Sequence, residues 1–252
     1  ALLDRRSVIS FDRSRGTPEP IRALNRIPER ENGEPLVLLA EVAPSVLIPR
    51  PQTIPYVRET VARMAESAAR ALPQGVRLAV TDAWRPRDRQ RRIYEWMTRC
   101  VLEVWPNTPL SALRRRVNRW VAPWNEKAPP GHCTGAAIDV MLADDAGEPL
   151  DVTSPYDRFQ AAPTYAHGLT PTARENRMLL VDTMLSVGFS NCRDEWWHYS
   201  YGDAGWAVRL GFPECIYGEV RLDPALYEEQ ERLWLEAFKE RTNPFKPSDQ
   251  SQ

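Results

Sequence analysis

Histidine is scarce in this chain, with three in 252 residues: His132, His167 and His198. The four cysteines, Cys100, Cys133, Cys192 and Cys215, include no Cys-x-x-Cys pair, which argues against a structural zinc cluster. Nothing selects one of the possible disulfide pairings, and reduced thiols are the expectation. No apolar run approaches the roughly twenty residues that span a bilayer. Net charge is also nearly absent: 33 basic and 34 acidic residues leave −1 and are interspersed. There is thus no global field for nucleic acid or an anionic membrane. The run Arg114-Arg115-Arg116 with Arg119 falls in an amphipathic helix predicted from Leu110 to Val121, where a solvated face is the expected role. The chain has no internal repeat and no glycine-rich phosphate loop. Ala1–Arg6 has no signal-peptide core, so a cytoplasmic location is expected, or a periplasmic or secreted one if the N-terminus was trimmed.

Two of the three histidines lie in short segments rich in other ligand types: Gly131-His132-Cys133-Thr134-Gly135-Ala136-Ala137-Ile138-Asp139 and Glu195-Trp196-Trp197-His198-Tyr199. A catalytic zinc takes three protein ligands and keeps an open position, and neutral imidazole and carboxylate both suit it. His132, Asp139 and His198 make such a set, for one Zn2+ per chain. Glu195, three residues before His198, is placed to accept a proton from water. Ala136–Leu142 reads as a buried strand with one carboxylate in it, which is costly unless Asp139 meets a cation or hydrogen-bond donors. Side chains alternate along a strand, so His132 and Asp139 cannot share a face of an unbroken one. A turn must intervene, and Gly135 is the residue able to make it. The step from Glu195 to His198 meets the same parity conflict, and either a tight turn or a bulged strand would resolve it. Each segment alone has an ordinary structural reading, a capping histidine or an aromatic core strand; together they point to a metal site. Cys133 is adjacent to His132, so simultaneous ligation is awkward and it is read as a bystander.

These segments resemble the signatures of the zinc D,D-peptidase family that includes the VanX-type D-alanyl-D-alanine dipeptidases: a histidine, then Gly-x-Ala-x-Asp, and later Glu-x-x-His. Asp82-Ala83-Trp84-Arg85-Pro86 is similar to the Asp-x-aromatic-Arg-Pro turn of those enzymes, and order and spacing hold from about residue 55 to 201. The resemblance implies that His132, Asp139 and His198 bind zinc, that Glu195 is the base, and that Arg85 stabilises the transition state. Ser154-Pro155-Tyr156-Asp157 aligns with a Phe-Asp step whose aspartate lies near the substrate ammonium. Asp157 is the implied substrate-binding residue, with Asp82 sharing that task or orienting Arg85. One position departs from the pattern. Many relatives carry serine two residues before the first histidine, and Pro130 stands there in this chain. Proline has neither hydroxyl nor N–H, which removes any substrate hydrogen bond made by that serine.

The chain reads as a single zinc D,D-peptidase domain over 1–252, with an N-terminal arm (about 1–54) and a C-terminal helical extension (about 220–252). Its 42% hydrophobic content is enough for a sizeable core. Predicted elements are a strand over Pro35–Ala40, a helix over Val57–Leu72, a strand over Val76–Val80, and a helix from Arg87 to about Val104. A proline- and tryptophan-bearing insertion follows at 105–131. Pro171 is expected at the first turn of a helix capped by Thr170, with Leu179, Leu180, Met184 and Leu185 inward. Trp206–Leu210 reads as a strand. Asp223–Arg241 reads as a helix with Leu226, Leu233, Trp234 and Phe238 along one side, packing on the domain or on a second subunit. The polar end past Pro244 is expected to be disordered.

The expected fold is α+β, with a central antiparallel sheet carrying the zinc site and helices on its other face. The expected function is zinc-dependent hydrolysis of D-Ala-D-Ala or a similar short D-amino-acid dipeptide, so the partner is a small peptide. The alternatives are a D,D-carboxypeptidase or endopeptidase on cell-wall peptides, and a non-catalytic zinc-containing binding module like the Hedgehog-type signalling domains.

Overall fold

The computed structural model describes residues 8–246. In chain order the elements are α1 (Ile21–Leu24), β1 (Leu36–Leu38), α2 (Leu39–Val42), β2 (Tyr56–Arg58), α3 (Glu59–Ala71), β3 (Arg77–Asp82), α4 (Arg87–Val104) and α5 (Leu110–Val117). They continue with β4 (Ala137–Ala143), α6 (Pro171–Ser186), β5 (Ser190–Asn191), β6 (His198–Ser200), α7 (Ala204–Leu210) and α8 (Glu228–Lys239). The fold is α+β. β3, β4, β6 and β5 form an antiparallel sheet in that order, and β1 and β2 form a separate antiparallel pair.

β4 is the spine of the sheet, and its alternation decides what lies on each face. Ile138, Val140 and Leu142 point into the main core, where Val61, Ala65 and Ala68 of α3 and Leu180 and Met184 of α6 meet them. All eight are fully buried. Asp139 lies between two of these core residues in sequence and therefore projects from the opposite face. The segment before residue 55 adds Leu39, Ala43 and Val46 to the same core.

Local signals explain most of the boundaries. Thr170 accepts a hydrogen bond from Ala173 N at 3.2 Å and Pro171 is the first residue of α6, so the predicted cap is present. Leu180 and Met184 are buried as expected, whereas Leu185 is exposed. The predicted strand at Pro35–Ala40 is three residues long, because the chain turns helical at Leu39. Trp206–Leu210 is helix rather than strand. Asp203 caps it by accepting from Trp206 N at 2.7 Å, and Gly211 closes it in the left-handed region at φ 76°. A five-residue segment with four apolar positions carries too little periodicity to separate the two.

The C-terminal helix packs on the domain. Trp234 joins Ile93, Met97 and Val101 of α4 and Leu113 and Val117 of α5 in a second apolar cluster. Leu226 lies in a short 3-10 turn before α8 and is exposed, outside the predicted stripe. Phe245 also belongs to this cluster, stacked edge-on against Trp105, so the chain stays ordered beyond Pro244 as far as residue 246. Residues 247–252 and the Ala1–Arg6 segment lie outside the described residues. The basic run is mainly a solvated face: Arg114, Arg115 and Arg119 are exposed, while Arg116 lies over the Trp105 ring at 3.9 Å.

Candidate metal centre and its cavity

Three neighbouring strands bring the site together in one row. Asp82 of β3 is paired across the sheet with Asp139 of β4, and Asp139 with His198 of β6. Directly opposed residues share a face, so these side chains emerge side by side. The two parity conflicts are resolved by turns. His132 lies in a 3-10 turn over Gly131–Thr134, which ends at Gly135 in the left-handed region at φ 71°. A side chain there would be strained, and its Cβ would meet Leu36 Cδ2 at 2.3 Å. Between Cys192 and His198 the chain makes a tight turn and not a bulged strand. Glu195 N donates to Cys192 O and His198 N to Glu195 O, both at 3.2 Å.

His132 is held from both sides by the Asp82–Pro86 turn. Its Nδ1 lies 2.8 Å from Ala83 O, and Arg85 N donates to His132 O at 3.1 Å. A protonated Nδ1 leaves Nε2 as the free lone pair, and Nε2 is 3.3 Å from Asp139 Oδ1. His198 Nδ1 is 3.1 Å from the same oxygen. The three residues offer ligand atoms all within 4.8 Å of one another. Tetrahedral ligands at zinc bond lengths sit about 3.3 Å apart, so the two shorter separations match adjacent corners of that coordination. Two imidazoles and a carboxylate fit a zinc ion and leave the remaining corner open. Burial alone would raise the Asp139 carboxyl, but the two histidines outweigh it and hold it well below the usual range.

A match over most of the chain decides the family. A family model described as D-ala-D-ala dipeptidase covers residues 35–216, which include all of these residues. The chain belongs to that family. It is similar to D-alanyl-D-alanine dipeptidases of Synechocystis sp. (38% identical over 101 residues, 35% of this chain and 41% of the relative) and Escherichia coli (25% over 150 residues, 58% and 66%). The aligned stretches therefore span less than two thirds of the length of these relatives. A solved structure of VanYB in complex with D-alanine-D-alanine aligns at 17% identity with a TM-score of 0.40, over 83% of this chain and 94% of that one.

In this family member the ligand set opens onto a cavity of about 720 Å³, which also receives Arg85, Glu195 and Trp197. Burial and then the Asp139 charge push the Glu195 carboxyl up to about 8, the kind of tuning a proton-transferring carboxylate requires. Arg85 donates from Nη1 to Gln90 Oε1 and from Nη2 to Asp82 Oδ2, both at 2.5 Å, and its buried Nε has no hydrogen-bond partner among the described residues. Burial opposes both charges of this pair, yet Arg85 holds Asp82 below its usual range and Asp82 with Asp139 holds Arg85 above its own. Asp82 thus orients the arginine. The inserted segment lines the cavity through Trp120 to Pro123, Glu126 and Ala128 to Pro130, and the C-terminal stretch contributes Trp234 and Arg241.

Asp157 lies in the turn after Pro155, where its Oδ1 accepts from Gln160 N at 3.0 Å. The cavity wall takes Arg158 and Phe159 from this turn. The fully buried Arg177 ties the loop to α6 by donating to Pro163 O at 2.8 Å and to Val152 O. Cys133 is buried, and burial pushes its thiol up to about 12, so it stays a neutral thiol beside His132. All four cysteines are free. Sequence reasoning missed Gln90, which fixes Arg85 and is itself anchored to Ala122 O at 2.7 Å, and also Arg158. Gln90 is one turn into the helix that follows the Arg85 turn, a position from which a side chain can reach back; Arg158 had only its place next to Asp157 to signal it.

Proposed function

We propose that this chain is a zinc-dependent peptidase that hydrolyses D-Ala-D-Ala or a similar short D-amino-acid dipeptide. The observation that carries this reading is the placing of Asp139 Oδ1 3.3 Å from His132 Nε2 and 3.1 Å from His198 Nδ1, in a cavity shared with a carboxyl group tuned to about 8. Zinc bound by these residues supplies Lewis-acid polarisation of a carbonyl and acidifies water. Glu195 takes a proton from the attacking water and passes it to the leaving amine. Arg85, locked by Asp82 and Gln90, presents Nε to the negative charge that develops on the carbonyl oxygen, where a preplaced cation is most effective. Asp157 pairs with the ammonium group of the substrate in this scheme. Among the described residues no helix is long and apolar enough to cross a membrane, and the partner is a small peptide.

Substrate length is the direct test. If Asp157 recognises the free amine, N-acetyl-D-Ala-D-Ala is cleaved far more slowly than D-Ala-D-Ala, and Asp157→Ala shrinks that difference. Equal cleavage of the acetylated peptide, or of a muropeptide ending in D-Ala-D-Ala, replaces the dipeptidase reading with a D,D-carboxypeptidase or endopeptidase. A cavity of about 720 Å³ is in the range that encloses a drug-sized ligand, which leaves room for that second reading. Absence of turnover on every D-amino-acid peptide would leave the binding module.

Arg85 has its own kinetic signature. Arg85→Ala should lower kcat by about 10²–10³-fold with little change in KM, as for the loss of one donor to a developing oxyanion. A change confined to KM would move Arg85 to the substrate carboxylate.

A further inference from the structure

Most charges around the cavity are matched within the protein. Asp82 is paired with Arg85, Glu19 and Asp203 with Arg209, and Asp194 with Arg193. Arg158 is the exception closest to the chemistry. It is largely enclosed and lines the cavity beside Glu195 and Asp139. Among the described residues it has no ion pair and its guanidinium makes no hydrogen bond. It lies over the ring of Trp197, 4.2 Å from the centroid, and 5.8 Å from that of Trp196. A cation held over an aromatic face is positioned there without using its N–H donors.

An enclosed cation without an anionic partner is costly, and burial accordingly lowers the Arg158 pKa. The acids it senses, Asp139, Glu195 and Asp82, are engaged as ligand, base and Arg85 partner. The lining stretch Ala128-Pro129-Pro130-Gly131 offers no side-chain donor, and its prolines have no N–H. Arg50, Arg119 and Arg241 also line the cavity, but all three are exposed. They add positive potential at the mouth, where charge steers a ligand more than it fixes one.

We propose that Arg158 is the carboxylate-recognising residue of this site, its guanidinium N–H donors taking the C-terminal carboxylate of the peptide. The assignment rests on the peptidase reading for the identity of the ligand, and on the cavity alone for its charge. Guanidinium matches carboxylate in a two-point fork that lysine cannot reproduce. Arg158 is therefore a specificity residue, acting on binding more than on the chemical step.

The test compares D-Ala-D-Ala with its C-terminal amide on zinc-loaded wild type, Arg158→Ala and Arg158→Lys. For D-Ala-D-Ala, Arg158→Ala should raise KM roughly 10–100-fold with kcat little changed, the range of a charge-assisted hydrogen bond. Arg158→Lys should recover part of the loss, and the amide should be indifferent to either change. In parallel, metal-free proteins are titrated with N-acetyl-D-alanine and followed by tryptophan fluorescence, which Trp197 should report. Wild type should bind and Arg158→Ala should bind at least tenfold more weakly, with circular dichroism confirming the fold of both variants. Equal losses on acid and amide, or carboxylate binding to metal-free protein that ignores Arg158, would overturn the assignment. If wild type cleaves no D-dipeptide, the peptidase reading fails while the metal-free titration still decides whether Arg158 holds a carboxylate.

Discussion

Glu195→Gln should keep its metal and lose turnover by about 10²–10⁴-fold, the usual contribution of a positioned general base. The amide fills the same volume on the same turn and cannot accept the proton of water, so zinc content measured by elemental analysis should match wild type while kcat collapses. A wild-type rate would remove Glu195 from the chemistry. The same variant reports on the cost of the base. The folded-state carboxyl is raised to about 8 from an ordinary 4.5 by burial and by Asp139. The metal-free wild type therefore loses stability as pH climbs through that interval, since the unfolded chain releases the proton first. Glu195→Gln has no proton to lose. Without metal, it should melt at the same temperature as wild type near pH 4 and higher than wild type at pH 8 to 9. Melting curves that coincide at both pH values would show that the carboxyl is not strained by its surroundings.

His198→Ala should lose most of its zinc on dialysis and, with it, all measurable hydrolysis. Removing one of three protein ligands leaves two, and the remaining carboxylate and imidazole no longer define a catalytic coordination sphere. The fold should survive, because His198 is the first residue of β6 and its backbone anchors stay: Cys192 N and the Asn191 side chain both donate to His198 O, each at 3.0 Å. Full zinc occupancy in this variant by elemental analysis would refute the ligand set; unchanged circular dichroism with lost metal would support it.

The parts of the site that could be read from sequence were those that chemistry restricts to few residue types. Histidine is rare here, a buried-strand aspartate needs a partner, and a parity conflict demands a turn; these considerations led to His132, Asp139, His198 and the conformation of Gly135. What escaped was set by long-range geometry. Arg158 is functional in our reading because Trp197, thirty-nine positions away in sequence, supplies the ring beneath it and because no carboxylate among the described residues pairs with it. Gln90 matters only because Ala122, in the inserted segment, fixes its amide. Asp157, implied by the family resemblance, lies in the turn that delivers Arg158 and Phe159 to the cavity and is not itself among the lining residues. The error at Trp206–Leu210 has a local cause. Asp203 and Gly211 bracket a helix, and these end signals were less visible than the apolar run between them.

The ladder that sets Asp82, Asp139 and His198 opposite one another also determines where this chain can change length. An insertion of one residue within Ala137–Val140 or His198–Ser200 would turn every later side chain of that strand to the other face, sending a ligand into the core and a core residue towards the metal. The connection from the same strand to α6 begins with a mostly exposed turn over residues 145–149, which can vary in length without disturbing that register. Variation among family members should accordingly collect in this connection and in the insertion before His132, so that cavity walls diversify while the metal-binding row keeps its spacing.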